Sequence, residues 1–202
     1  MTKLTPRQRR RQKTKKAILK TAQELVAEKG PEGLSIREIA RRIDYSPAGL
    51  YEYYDSKDEI IAAICEVGME GLSAAFAEIS PNLSLSQQLV EMSLAYVDFA
   101  VHNPEQFLLI FNSLPSKRTS LEEPVFEPSP YGVLLQTVEA AIEAGEINVT
   151  GDYAAEGITF NLWALMHGRA MLQLTFLRNF QADFETAHRW AIELFIKGLN
   201  VD

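Results

Sequence analysis

Between Gly30 and Glu59 the chain stops and restarts a helix three times. Gly30-Pro31 ends a segment in which Ile18, Ala22, Leu25 and Val26 recur at helical spacing. Glycine adopts the left-handed conformation that closes a helix, and proline cannot continue it. Ser35 and Glu38 form a capping-box pattern that opens a short helix with Ile36, Ile39, Ala40 and Ile43 on one face. Asp44-Tyr45 makes a turn. Ser46-Pro47 opens a third helix, with serine as cap and proline at the first helical position, lasting to about Tyr54. Ser56 with Glu59 starts a long fourth helix through Ile60, Ile64, Cys65, Gly68 and Leu72 that ends near Ser80-Pro81-Asn82. Pieces this short cannot bury a face alone, so they must pack as one small helical domain.

The rest of the chain repeats the helical pattern, and strand patterns are almost absent. Ser84 and Gln87 cap a helix carrying Leu89, Met92, Tyr96, Val97 and Ala100, closed at Asn103-Pro104. A short 105–112 helix follows. Residues 113–130 contain Pro115, Pro124, Pro128 and Pro130 and read as a loop long enough to be functional or mobile. Helices at about 131–144, 152–179 and 183–199 complete an all-α chain. The expected organisation is a basic N-terminal arm (1–16), a three-helix helix-turn-helix domain (17–62) and a C-terminal helical regulatory and dimerisation domain (63–202).

Composition narrows the class. With 47% hydrophobic and 23% charged residues, the chain is neither disordered nor fibrous. The longest strongly apolar uncharged stretch, Gly157 to Gly168, is shorter than the ~18–20 residues a membrane span needs, and no apolar run follows the basic N-terminus. A lone cysteine, Cys65, allows no internal disulfide and fits a reducing compartment, so a soluble cytoplasmic protein without membrane partners is expected. The net charge of −7 is unevenly spread. Residues 1–60 hold 14 Lys/Arg against 9 Asp/Glu, a net of +5, and the remainder carries −12. Lys3, Arg7, Arg9, Arg10, Arg11, Lys13, Lys15, Lys16 and Lys20 precede the first acid. A basic end on an acidic body fits a nucleic-acid-binding module, and equally a solubilising or membrane-surface arm.

The spacing of the short helices favours nucleic acid. In a helix-turn-helix the second helix of the pair lies in the major groove with its N-terminal residues facing base edges. Here that helix begins Ser46-Pro47-Ala48-Gly49, small residues that permit close backbone approach, and Leu50 points back to the core. Tyr51 and Tyr53 splay to either side, within reach of phosphates. Lys57 stands at a helix start where dipole and ammonium both favour an anion. Arg37, one turn into the preceding helix, can bond a guanine bidentately.

The segment Gly33-Leu34-Ser35-Ile36-Arg37-Glu38-Ile39-Ala40, continuing through Ser46-Pro47-Ala48-Gly49-Leu50-Tyr51-Glu52-Tyr53-Tyr54-Asp55-Ser56-Lys57-Asp58-Glu59-Ile60, resembles the N-terminal domain of tetracycline-repressor-like (TetR family) bacterial regulators. The resemblance runs from about Ile18 to Ile64. It implies a homodimer on double-stranded DNA with a near-palindromic operator, phosphate contacts from Ser35, Tyr51 and Lys57, and groove contacts from Arg37 and residues 46–49. Tyr53 stands where the family often has histidine. Asp44 and Tyr45 depart from the usual Gly-Val turn. Asp tolerates a left-handed backbone, whereas Tyr45 either packs in the small core or reaches DNA. Asn103-Pro104-Glu105-Gln106-Phe107 and Trp163-Ala164-Leu165-Met166-His167-Gly168 resemble a regulatory-domain subtype with a Trp–His–Gly signature.

The remaining candidates concern regulation. Met92, Tyr96, Phe99, Phe107, Phe111, Trp163, Met166 and His167 either line an apolar cavity or simply form core; the family resemblance implies a small-molecule effector there. On the last helix, Ala187, Trp190, Ala191, Leu194 and Gly198 line one apolar face and Ile192, Phe195, Ile196 and Leu199 another. One face would serve the core and one a partner subunit, with Trp190, Ala191, Leu194, Phe195 and Gly198 at the dimer interface. Cys65 reads as core. No metal-ligand spacing, cofactor motif or catalytic constellation stands out, so no enzyme activity and no cofactor is expected. The expected function is a sequence-specific repressor released from its operator by a small, largely apolar ligand; the alternative is a DNA-binding regulator controlled by a protein partner.

Overall fold

The computed structural model describes residues 4–113, 129–148 and 155–200. They form nine α-helices: α1 (Pro6–Lys29), α2 (Ile36–Arg42), α3 (Pro47–Leu50), α4 (Lys57–Ala77), α5 (Leu85–His102), α6 (Pro104–Ser113), α7 (Pro130–Glu143), α8 (Ala155–Leu174) and α9 (Phe184–Gly198). A 3-10 turn at Pro31–Gly33 follows α1, and no strand occurs among the described residues. The chain divides into two compact units, residues 1–68 with 105–115, and residues 69–104 with 116–202. Helix α4 gives its first half to one unit and its second half to the other.

The N-terminal unit is built around Ile18, Ala22, Leu25, Val26, Ile39, Leu50, Ile60 and Ile64, all buried. Its helix starts follow the expected serines. Ser35 Oγ accepts from the Glu38 amide at 3.1 Å, Ser46 Oγ from the Gly49 amide at 3.0 Å, and Ser56 Oγ from the Glu59 amide at 3.1 Å. Neither expected reciprocal box closes. The Glu38 carboxylate turns instead to Arg41 and Arg42, and Glu59 accepts from the Asp55 amide. Asp44 has φ of +56°, so this aspartate takes the left-handed turn position usually reserved for glycine.

Two expectations need correction in this unit. Residues 6–16 are not an arm separate from the first helix; they are its first three turns. The Thr5 hydroxyl accepts from the Gln8 amide at 3.3 Å, the Gln8 side chain accepts from the Thr5 amide at 2.8 Å, and Pro6 occupies the first helical position. Helix α3 also ends at Leu50, its continuation to Tyr53 being a turn. Helix α6 joins this unit by close approach to α4: Gln106 Nε2 donates to the Ile64 carbonyl at 3.1 Å, and a Cβ on Gly68 would lie 2.7 Å from Ile110.

In the C-terminal unit α5, α7, α8 and α9 enclose Leu89, Met92, Tyr96, Leu134, Val138, Ile158, Leu162, Met166 and Ile192. Glu146, just past α7, caps α5 by accepting from the Leu85 and Ser86 amides at 3.1 and 2.8 Å. Helix α7 starts at Pro130, capped by Ser129, so the end of the expected 113–130 loop is already helix; residues 114–128 lie outside the described residues. Among the described residues one helix, α4, is long and apolar enough to cross a membrane, which the search for uncharged apolar runs did not pick out. Its exposed Glu66 and Glu70 mark a water-facing side, and its apolar residues Ile60, Ile64, Leu72 and Phe76 turn inward.

His188 is the buried titratable group of α9, 1% exposed. Its Nε2 lies 3.1 Å from the Ser93 carbonyl, which can only accept, so Nε2 carries the proton. Nδ1 is then a buried acceptor without a hydrogen-bond partner among the described residues. Burial pushes the imidazole pKa below its ordinary 6.5, Arg169 pushing the same way and the Ser93 bond opposing. A depressed histidine contributes stability that is present above the unfolded value and lost as pH falls, because the unfolded chain takes up the proton first. The thermal midpoint should therefore drop between pH 7.5 and 5.5, and His188→Gln should flatten that drop in parallel melts.

Candidate nucleic-acid interface

The helix-turn-helix is completed by packing at its two ends. Arg42 of α2 reaches Glu28 of α1 through two hydrogen bonds of 3.0 and 2.6 Å, and also bonds Glu38 at 3.2 Å. Arg41 and then Arg42 hold the Glu38 carboxyl down at about 2. This exposed network orients α2 against α1 and is open to salt screening. Arg37, by contrast, is exposed and forms no ion pair among the described residues.

Helix α3 presents Ser46, Pro47 and Ala48 to solvent and buries Leu50 completely. A Cβ on Gly49 would lie 3.1 Å from Ser46 Oγ and 3.4 Å from the Tyr45 ring, so glycine lets the cap and ring close over the helix start. Tyr51 is 53% exposed, whereas Tyr54 is buried in the unit. Tyr53 is half-buried, which sequence spacing did not separate from Tyr51. It meets Tyr45 edge to face at 6.2 Å, and the Arg11 guanidinium stands 5.2 Å from its ring centre. Hydrogen bonding from Thr14 and then Tyr53 lowers the Tyr45 phenol pKa, and the same bond to Tyr45 raises that of Tyr53. Tyr45 is thus a surface residue of this cluster, 42% exposed, and not part of the small core. Lys57 is half-buried at the start of α4, next to the Ser56 cap.

The sequence pattern did not reveal the role of Arg11. Its Nη2 donates to the Glu52 carbonyl at 2.8 Å, across 41 residues of chain, and Lys15 Nζ stands 4.8 Å from the centre of the Tyr54 ring. The run of bases was visible, but its docking onto the turn after α3 is a tertiary contact.

The expected effector residues fall in both units. Phe107 and Phe111 pack together at 4.7 Å in the N-terminal unit. Met92, Tyr96, Phe99, Trp163, Met166 and His167 belong to the C-terminal unit. There, Trp163 Nε1 donates to the Tyr96 hydroxyl at 3.2 Å, and that hydroxyl lies 2.9 Å from His167 Nδ1. The Tyr96 phenol thus links the Trp163 indole N–H and the His167 imidazole in one polar chain. Burial lowers the His167 pKa and raises that of Tyr96. A separate open groove of about 420 Å³ is lined by α5 and α9 residues including Val90, Glu91, Arg189 and Ile196, and by none of the expected effector residues. Burial also pushes the Cys65 thiol up to about 11, which keeps it protonated and unreactive near neutrality. Among the described residues no cluster of His, Cys, Asp and Glu is placed to hold a metal ion.

The last helix divides as its two apolar faces suggest. Ile192 and Ile196 are buried, whereas Trp190 and Leu194 are 64% and 46% exposed, with Ala187 and Gly198 beside them. Ala191 and Phe195 are half-buried on the flanks. Helix α8 adds an exposed stripe missed in the sequence: Phe160, Ala164, Leu165, Gly168 and Leu172, at helical spacing.

Comparison with known proteins places this architecture. Residues 18–64 match the model of the tetR family of bacterial regulatory proteins, and residues 89–195 match the tetracyclin repressor-like C-terminal domain. The uncharacterized HTH-type transcriptional regulator YobS of Bacillus subtilis (strain 168) is 24% identical over 192 residues, 94% of each chain. A tetR family transcription regulator from Shewanella sp. PV-4 shares the fold with a TM-score of 0.66 at 22% identity, covering 93% of this chain and 98% of that one. RolR, solved in complex with resorcinol, has a TM-score of 0.66 at 14% identity, covering 93% of this chain and 89% of its own. With both halves matched in order, the chain belongs to the tetR family of bacterial transcriptional regulators.

Proposed function

We propose that the chain is a homodimeric repressor of the bacterial cytoplasm that reads a near-palindromic operator through α3 and Arg37 and is released by a small, largely apolar ligand. The observation that carries the DNA-reading part is the contrast among the arginines of α2. Arg41 and Arg42 are tied to carboxylates of their own unit, while Arg37 is exposed and forms no ion pair among the described residues. An exposed guanidinium on a helix suits bidentate contact with guanine O6 and N7. Ser35, Tyr51 and Lys57 flank it as phosphate contacts, which fix register without reading sequence. Tyr53 is assigned to support of this surface, through Tyr45 and Arg11. On DNA selected by the full chain from a random duplex library, Lys57→Ala should weaken binding of all sequences about equally and lower the salt slope by about one. Arg37→Ala should flatten preference at particular base pairs. Equal, sequence-blind losses from both would overturn base reading by Arg37.

The exposed stripes of α8 and α9 support dimerisation: large apolar patches of this kind on a helical domain favour burial against a second copy. Trp190→Glu combined with Leu194→Glu should convert a dimer to a monomer in sedimentation analysis and cost operator affinity, because two half-sites are then bound singly.

The Trp163–Tyr96–His167 chain favours an effector with an apolar body and a single polar handle. It supplies directional polar groups among aromatic rings, with Tyr131 and Phe160 set edge to face against Trp163 at 5.9 and 6.2 Å. These residues support the reading that the chain is of the Trp–His–Gly subtype. Release requires that the ligand bind the DNA-incompetent arrangement more tightly than the competent one. In a panel of small phenols and other apolar metabolites, at least one should lower operator affinity in wild type and lose that effect in Tyr96→Phe. A panel without effect would favour control by a protein partner.

A further inference from the structure

We propose that the N-terminal turns of α1 form a second DNA-contacting element, fixed in register with α3, in which Arg7 and Arg10 grip phosphates flanking the operator core. The inference rests on the DNA-reading function proposed above and assigns it a site outside the helix-turn-helix.

A basic tail ordinarily contributes a diffuse field. Here the segment begins with a closed capping box at Thr5 and Gln8, so its helical form is specified from its first residue. It is then fastened at two successive positions. Arg11 donates to the Glu52 carbonyl and stands over the Tyr53 ring, and Lys15 stands over the Tyr54 ring. Both partners belong to the turn that directly follows α3. The N-terminal half of α1 is therefore held against the residues that follow the groove helix by a hydrogen bond and two cation–ring contacts.

Helical spacing decides which bases this fixes toward DNA. At 100° per residue, Arg7, Arg10, Arg11 and Thr14 lie along one side of α1, and Arg9, Lys13 and Lys16 along the other. Thr14 sits against Tyr45, in the turn leading into the exposed start of α3. The Arg7–Arg10 side thus continues the surface that carries α3. Arg7 and Arg10 are exposed and form no ion pair among the described residues. The six steps from Thr5 to Arg11 rise roughly 9 Å, a reach of about three base pairs. That is enough for phosphate contacts just outside the groove-helix footprint, and too little for a wandering polycation.

The test removes equal charge from the two sides. Arg7→Gln with Arg10→Gln and, separately, Lys13→Gln with Lys16→Gln are made in the full chain; glutamine keeps helix propensity. Each is measured on a duplex enriched from a random library by wild type, once with about five base pairs of flank on each side and once trimmed to the core. Wild type should bind the flanked duplex about tenfold more tightly than the trimmed one. The Arg7/Arg10 variant should lose that advantage and lower the salt slope by about two per half-site. The Lys13/Lys16 variant should keep most of it. Equal losses from the two variants, or an advantage that survives Arg7/Arg10 replacement, would overturn the inference in favour of a diffuse basic field. If wild type enriches no sequence at all, the DNA-reading function itself fails, a result distinct from losing the flank effect alone.

Discussion

A helix of four residues cannot hold its own shape, and the N-terminal unit is organised around that fact. Helix α3 is little more than one turn, far below the length at which a helix is stable by itself. Its geometry is imposed from outside. Ser46 satisfies an orphan amide at its start, Leu50 anchors its end in the core, and Asp44 accepts a left-handed conformation so that the chain can turn into it. The turn beyond Leu50 is held by Arg11 and by the edge-to-face pair of Tyr45 and Tyr53. Because these supports lie behind the exposed residues 46–48, the surface offered to a groove is made of small side chains on a rigid backbone. That suits close approach, and rigidity limits the ordering cost on binding.

Charge is distributed to the same end. The net of +5 in the first 60 residues and −12 in the remainder opposes binding of the wrong half to a polyanion. Within the basic half a further division appears. The bases nearest the core are consumed internally, Arg42 by Glu28 and Glu38 and Arg11 by Glu52 and Tyr53, whereas Arg37 and the outer bases of α1 form no ion pairs among the described residues. Internal pairing of some arginines fixes the frame, and Arg37, Arg7 and Arg10 stay exposed to solvent.

Much of this was legible because caps are local. Ser35, Ser46, Ser56 and Ser84 each mark a helix start within a residue of its position, since a hydroxyl and the amide three residues on are chain neighbours. The capping pattern Thr5-Pro6-Arg7-Gln8 was equally present, yet the density of bases after it favoured reading 1–16 as a basic arm. The reciprocal half of the Ser84 box closes through Gln87, but that of the Ser35 box was not legible, because Glu38 has a stronger alternative in two guanidiniums that arrive through folding. The two faces of α9 could be drawn from spacing, but the half-burial of Ala191 and Phe195 on the flanks could not. That depends on α5, which meets α9 through the Ser93–His188 and Glu91–Arg189 bonds. The stripe on α8 was hidden for a related reason: an almost uniformly apolar helix has no moment to reveal its buried side.

Helix α6 adds a constraint that bears on regulation. It follows α5 in sequence, yet it belongs with the first half of α4: Gln106 bonds the Ile64 carbonyl, and Ile110 leaves no room for a Cβ on Gly68. Gly68 is also the last α4 residue of the N-terminal unit. The chain therefore passes between units within α4, at Gly68-Met69, and again around α6. A contact this tight does not compress gradually, so α6 and the first half of α4 must move as one piece or separate. Within the N-terminal unit, the position of α6 is therefore tied to that of the first half of α4.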